Sequence, residues 1–354
     1  LLVTDSDSEQ PPPGAALQAV IEAIDYPDSE ASYQAGILNH ELATPGGSLG
    51  VLEDLSVWAA AVQAQCPPKD FARARTILFA GDHGIAEAGV SSLPAGFAAT
   101  ELTRLLAGGG LVNVLADLAG ATVRLADLSV DADTDPVIGE FKVRRSSGRI
   151  DREDALSTED AWRAVHAGMA LAVAEIDAGA DLLVVGDLGR GNTTVAAAVI
   201  SVLTDTEPTK VIGRGAGLDD AAWILKCAAI RDARRRAVAH RYDVVQLLAT
   251  IGGADLAAMT GFLLQSAARR TPVVLDGVFT AAAALLAQSA TPRIVRWLRA
   301  GQQSAEPAHA IALDRLGLNP ITQFGVAGGQ AAGALLAVPV LRASVRALAG
   351  SANV

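Results

Sequence analysis

Residues 181–194, DLLVVGDLGRGNTT, run from an apolar stretch into a glycine-rich turn, and the turn opens onto a helical segment. A short apolar run bounded by Asp and Gly reads as a buried strand. The same order recurs along the chain. TILFA from Thr76 runs into GDHG, ATVRLADL lies near residue 121, TKVIGRGAG begins at Thr209 and TPVVLDGV at Thr271. Each apolar burst is followed by Gly, Asp or Asn and then by helical spacing. Strands alternating with helices predict βαβ units, and so an α/β fold with a doubly wound, mostly parallel, Rossmann-like sheet. Ligands of such sheets bind outside the carboxyl ends of the strands, where these polar turns fall.

Two regions stand outside the alternation. GAALQAVIEAIDYPDSEASYQAGILNHEL has helical spacing broken at Pro27, and LGVLEDLSVWAAAVQAQ places Leu52, Leu55, Trp58 and Val62 on one helical face. The expected organisation is a loose acidic, Pro-rich tail over 1–14, a small helical lobe made from 15–70 and 310–354, and an α/β ligand-binding domain over 71–309. A chain of 354 residues is long enough to bury a large core. Its net charge of −11 argues against a general nucleic-acid or membrane-surface binder, since both need a basic footprint. Cys66 and Cys227 make neither a disulfide framework nor a metal-ligand cluster, so no metal is expected and a reducing cytoplasm is the simplest home. No apolar run reaches ~18 residues, and no membrane span is predicted. LLVTDSDSEQPPPG lacks the basic start and small-residue cleavage site of a signal peptide.

Four turns offer chemistry. In GDLGRGNTT, Gly189 and Gly191 allow backbone amides to approach a ligand, while Asn192, Thr193 and Thr194 add side-chain donors and N-caps for the next helix. Free amides at a helix start favour an anion such as phosphate, and a tight strand-to-helix turn is the competing reading. GRGAGLDD repeats the design with Gly213, Gly215 and Gly217, and Lys226 follows in the next helix, where it can neutralise an anion. No GKS or GKT follows the glycines, so this is not a Walker loop. GDHG supplies Asp82 and His83, which are as readily structural as functional. SAEPAH supplies Ser304, Glu306 and His309, where Ser304 reads as an N-cap or ligand contact and Glu306 as a helix cap or substrate anchor.

Taken in order, FAGDHG, GDLGRGNTT, GRGAGLDD with Lys226, GGADLAAMTGFLLQSAARRTPVVLDGV and SAEPAH resemble the nicotinate-nucleotide–dimethylbenzimidazole phosphoribosyltransferase family of cobamide lower-ligand assembly. The resemblance runs from about Pro45 to Leu348. It implies a homodimer and no cofactor. It also implies a small-molecule donor, nicotinate mononucleotide, whose phosphate sits on Gly189, Gly191, Asn192, Thr193, Gly215, Gly217 and Lys226. The family moves phosphoribose to a benzimidazole nitrogen. A pyridinium nitrogen leaves as a neutral ring, so the chemistry needs positioning, oxocarbenium stabilisation and a base for the azole proton.

That base is the glutamate of a late LGEGTG motif, and here the motif reads GGQAAG, with Gln330 at the base position. An amide does not take a proton at neutral pH. Gly328 stands where the family has a pocket leucine, and Ala327 where it has an arginine. Gln302 and Gln303 stand for His-Arg, Leu93 for a tyrosine, Thr100 for a glutamine, Ala308 for a glycine and Thr44 for a lysine. Arg190 and Arg214 are added inside the two glycine loops, either as contacts to a more anionic ligand or as bulk filling the donor site. The resemblance therefore implies a transferase with its donor side kept and an altered aromatic or heterocyclic acceptor. Either the acceptor loses no proton or brings its own anionic nucleophile, and Gln330 hydrogen-bonds it without acting as a base, or Asp187, Glu101 or Glu306 stands in as the base. The alternative is a non-catalytic, nucleotide-binding or regulatory paralogue, or the silent subunit of a heterodimer.

Overall fold

A computed structural model describes residues 13–42 and 47–351. Most of the expected tail, and Thr44 and Pro45, lie outside these residues. Pro13 and Gly14 were counted with the tail but already belong to the first helix, as suits proline at a helix start. Helices α1 (Pro13–Ala23) and α2 (Ser29–Leu42) flank Pro27, and α3 (Val51–Gln63) follows. Strand β1 (Ala74–Gly81) leads to α4 (Phe97–Leu106) and α5 (Leu111–Leu118), then to β2 (Ala121–Ser129) and α6 (Thr158–Asp177). Strand β3 (Leu182–Leu188) feeds α7 (Asn192–Thr204), α8 (Pro208–Val211), α9 (Asp220–Ala237), α10 (Val244–Ile251) and α11 (Ala254–Ala268). Next come β4 (Val273–Leu275), α12 (Val278–Ala290), β5 (Leu298–Gln302), α13 (Pro307–Leu316), β6 (Pro320–Thr322) and α14 (Ala332–Ser351).

The six strands form one sheet in the order β2-β1-β3-β4-β5-β6, and every pairing is parallel. Leu182–Val185 of β3 and Val273–Leu275 of β4 are wholly buried. Strands covered on both faces read as unbroken apolar runs, which is why they were legible. The strand order turns about β1, so the switch point lies between β1 and β3. There the two loops are pinned together: His83 N donates to Arg190 O at 3.0 Å and Asp82 Oδ1 accepts from Arg190 N at 3.2 Å.

Two expectations are corrected. TKVIGRGAG is not a strand. Pro208 opens the short helix α8, and Val211 and Ile212 are buried from a helix end and a loop, which imitates a strand's apolar burst. The boundary at residue 310 cuts through α13, and β6 pairs with β5, so residues 310–322 continue the α/β alternation. Helices α2, α3 and α14 share a small apolar cluster of Ala31, Ala35, Ala60 and Leu348, separate from the main core. By length and composition alone Ala332–Gly350 of α14 could cross a membrane, although Arg342 and Arg346 interrupt its apolar run. Its apolar residues Leu335, Val338, Leu341 and Val345 are buried in the core against the helices and sheet, which accounts for their character.

Candidate active site

The carboxyl ends of β3, β4 and β5 open into a cavity of ≈ 750 Å³ with Leu93, Phe97, Trp223, Val278 and Val326 among its apolar walls. Its polar floor comes from the strand ends. Asp187 closes β3, Asp276 follows β4 and Gln302 closes β5. Asp187 Oδ2 accepts from Asn192 Nδ2 at 3.1 Å. Asp276 Oδ1 accepts from Gln302 Nε2 and from Ala334 N, each at 3.0 Å. Burial, with the charges of Asp276 and Asp255 added, pushes the Asp187 carboxyl up to about 7. Burial pushes Asp276 up to about 6, against the pull of the Ala334 amide and Gln302. Two carboxyls that titrate near neutrality in one cavity suit proton transfer.

The glycine loops form one wall. A Cβ at Gly189 would collide with Gly81 O, and one at Gly186 with the backbone of Ala331, so both close approaches need glycine. The N-cap of α7 is Gly191, with no side-chain cap. The expected Thr capping is therefore corrected: Asn192 and Thr193 are engaged elsewhere, and Thr194 Oγ1 is buried without a hydrogen-bond partner. Asn192 turns back to Asp187, Thr193 Oγ1 accepts from Lys226 Nζ at 2.8 Å, and Thr194 is buried within α7. The Asn192 and Thr193 amides of the uncapped first turn stay available to an anion, while Thr194 N donates to Gly191 O at 3.0 Å. Gly213, Arg214 and Gly215 line the same wall from the loop before α9. Lys226 is fully buried beneath Thr193, and its burial lowers its pKa while Glu306 opposes the shift.

Glu306 departs from its expected role as a cap. It occupies the N-cap position of α13 without a capping bond, and its Oε1 accepts from Gly215 N at 2.8 Å. A carboxylate thus rests on one of the amides expected to hold phosphate. Ser304 lines the cavity but is not an N-cap; its N donates to His309 Nδ1 at 3.0 Å. Burial holds that imidazole neutral, with a pKa down to about 4.

Several predicted residues are not at the cavity. Asp82 and His83 are buried below the loops, and His83 Nε2 meets Asp255 Oδ2 at 3.1 Å. Burial opposes charge on His83, but Asp255, Asp82 and Asp187 hold its pKa above the ordinary value. Arg190 points away, its Nε donating to Leu93 O at 3.0 Å and its Nη1 pairing with Glu87 at 3.1 Å. It braces the loop and is not among the residues that line the cavity. Arg214 lines the rim while paired with Asp220 at 2.6 Å. Thr100 is exposed on α4, Thr194 is inside α7, Gly217 sits in a turn bonded to Arg214 O, and Gln303 N donates to Thr322 O. Gly328 and Gln330 do line the cavity.

Sequence reasoning left Asp276, Phe97 and Trp223 unassigned. Asp276 carried a usable signal, since TPVVLDG ends a buried strand in an acid just as LLVVGD does. Among the described residues no group of three His, Cys, Asp or Glu stands in metal-holding geometry.

An all-parallel α/β sheet whose strand ends and glycine loops enclose a cavity with near-neutral carboxyls on its floor has the architecture of a small-molecule enzyme. The model of a phosphoribosyltransferase family matches residues 24–354. The nicotinate-nucleotide–dimethylbenzimidazole phosphoribosyltransferase of Mycobacterium tuberculosis (strain ATCC 25618 / H37Rv) is 51% identical over 331 residues, spanning 93% of this chain and 92% of the relative. That of Mycobacterium avium (strain 104) is also 51% identical over 331 residues, spanning 93% of this chain and 95% of the relative. A crystal structure of the enzyme of that name from Thermus thermophilus superposes with TM-score 0.86 at 34% identity, covering 91% of this chain and 96% of the other. The chain belongs to the nicotinate-nucleotide–dimethylbenzimidazole phosphoribosyltransferase family.

Proposed function

We propose that this chain transfers phosphoribose from nicotinate mononucleotide to a nitrogenous aromatic acceptor other than dimethylbenzimidazole, with Asp187 taking the acceptor's proton. The observation that carries the reading is a contrast within one cavity. On the donor side, uncapped α7 amides and a fully buried Lys226 beneath Thr193 form an anion cradle. On the acceptor side, position 330 bears an amide whose nitrogen is bonded to Glu101 at 3.0 Å. Glu101 is a poor substitute base, because Arg104 and Gln330 occupy its oxygens and draw its carboxyl below the usual range against the effect of burial. Glu306 is anchored through Oε1 to Gly215 N, with only Oε2 left unpartnered. Asp187 lines the cavity, and its pKa near 7 matches the task.

The sugar's anomeric carbon gains positive charge as the nicotinate ring departs, and Asp187 and Asp276 lie on the floor beneath it in this reading. Fixed negative charge in a partly dry cavity stabilises that charge without reorganisation. A cytoplasmic homodimer acting on small molecules belongs to the same proposal. The test is nicotinate release from nicotinate mononucleotide, with no acceptor and then with azoles, phenols and other natural heterocycles in turn. Acceptor-dependent release is expected. Donor binding by calorimetry without release in any arm favours the non-catalytic paralogue instead.

A further inference from the structure

The polarity of the Gln330 amide is set by its surroundings. Glu101, 8% exposed on α4, accepts from Gln330 Nε2 at 3.0 Å. Arg104 clamps the same carboxylate, with Nε at 2.8 Å from Oε2 and Nη2 at 2.5 Å from Oε1, and its Nη1 donates to Gly109 O at 2.6 Å. An ionised carboxylate only accepts hydrogen bonds, so the NH₂ end of the amide is the end committed to Glu101. The backbone is held as well. Gln330 N donates to Asp187 O at 3.3 Å, and the adjoining Ala331 backbone lies hard against Gly186. Gln330 lines the cavity, and the amide atom it commits to Glu101 is Nε2 and not Oε1. The carbonyl is therefore the end of the amide left for a ligand.

We infer that Glu101 is a positioning residue that turns the Gln330 carbonyl toward the acceptor, so that this site selects aromatic acceptors presenting an N–H or O–H donor there. The inference rests on the acceptor reading above. Gln330 in this role recognises a proton and does not remove it. An acceptor without the donor leaves the carbonyl desolvated and unpaired, which corresponds to about a tenfold loss of affinity.

The test is calorimetric binding of benzimidazole and 1-methylbenzimidazole, which differ in that donor, to the full chain and to two variants. Wild type is expected to prefer benzimidazole by about tenfold or more. In Glu101→Gln the partner amide no longer dictates polarity, Gln330 can flip, and the preference falls below about threefold. Gln330→Met leaves the Glu101–Arg104 pair in place and is expected to lose the preference likewise. Equal affinities in wild type, a preference that survives in either variant, or no measurable binding of either azole to wild type overturns the inference. Because binding is read without turnover, failure of nicotinate release and failure of this inference are separate results.

Discussion

Position 330 shows how one side chain redistributes chemistry among its neighbours. With an amide there, Glu101 keeps its charge through Arg104 and Gln330, and the groups that titrate near neutrality are Asp187 and Asp276 on the cavity floor. If Asp187 is the base, its ionised form does the work, so turnover rises with pH through about 7 and then levels off. Asp187→Asn is expected to cut kcat by about a hundredfold or more and to remove that rise. A pH–rate profile unchanged in the variant sinks the assignment. The stability consequence has the opposite sign. A carboxyl whose folded pKa is raised leaves the native state holding more protons than the unfolded chain. Stability therefore falls as pH climbs from the ordinary carboxylate range to about 7, and Asp187→Asn flattens that slope in thermal melts. Asp187 was legible in the sequence as a strand-end acid, and so was the oddity of Gln330. The Glu101 contact was not, because it joins residues 229 positions apart.

Among the elements, the buried strands announced themselves and the short ones did not. TILFA and LLVV are unbroken apolar runs because both faces of β1 and β3 are covered. In β5 the run is interrupted by Arg299, whose guanidinium lies over the Trp58 ring at 4.5 Å, and β6 has three residues. TKVIG misled because a helix end and a loop can bury Val211 and Ile212 as deeply as a strand. The turn before α14 is strained in a way that sequence spacing does not reveal: Gly329, Gln330 and Ala331 are consecutive left-handed residues with φ of 60°, 56° and 61°. A left-handed non-glycine residue costs about 1–2 kcal/mol, so Ala331→Gly is expected to stabilise the fold by about 1 kcal/mol. Urea denaturation measures this directly, and a variant less stable than wild type contradicts the strain argument.

For the molecule as a whole, 51% identity to a relative and a TM-score of 0.86 to a solved structure mark a shared scaffold. The changed residues Gln330, Gly328, Gln302 and Leu93 all line one cavity. Thr100 and Gln303, grouped with them on the sequence, stand off it, so the proposed remodelling is narrower than the motifs implied. The central claim is that the donor side has been kept while the acceptor side has changed as a unit. Its most direct test compares kcat/KM for benzimidazole in this chain, in its Gln330→Glu variant and in the Mycobacterium tuberculosis relative, with nicotinate mononucleotide affinity measured alongside. The account predicts donor affinities within about tenfold of one another and benzimidazole transfer at least about a hundredfold below the relative in both wild type and variant. Benzimidazole transfer at the relative's level, in the wild type or after Gln330→Glu alone, would contradict it.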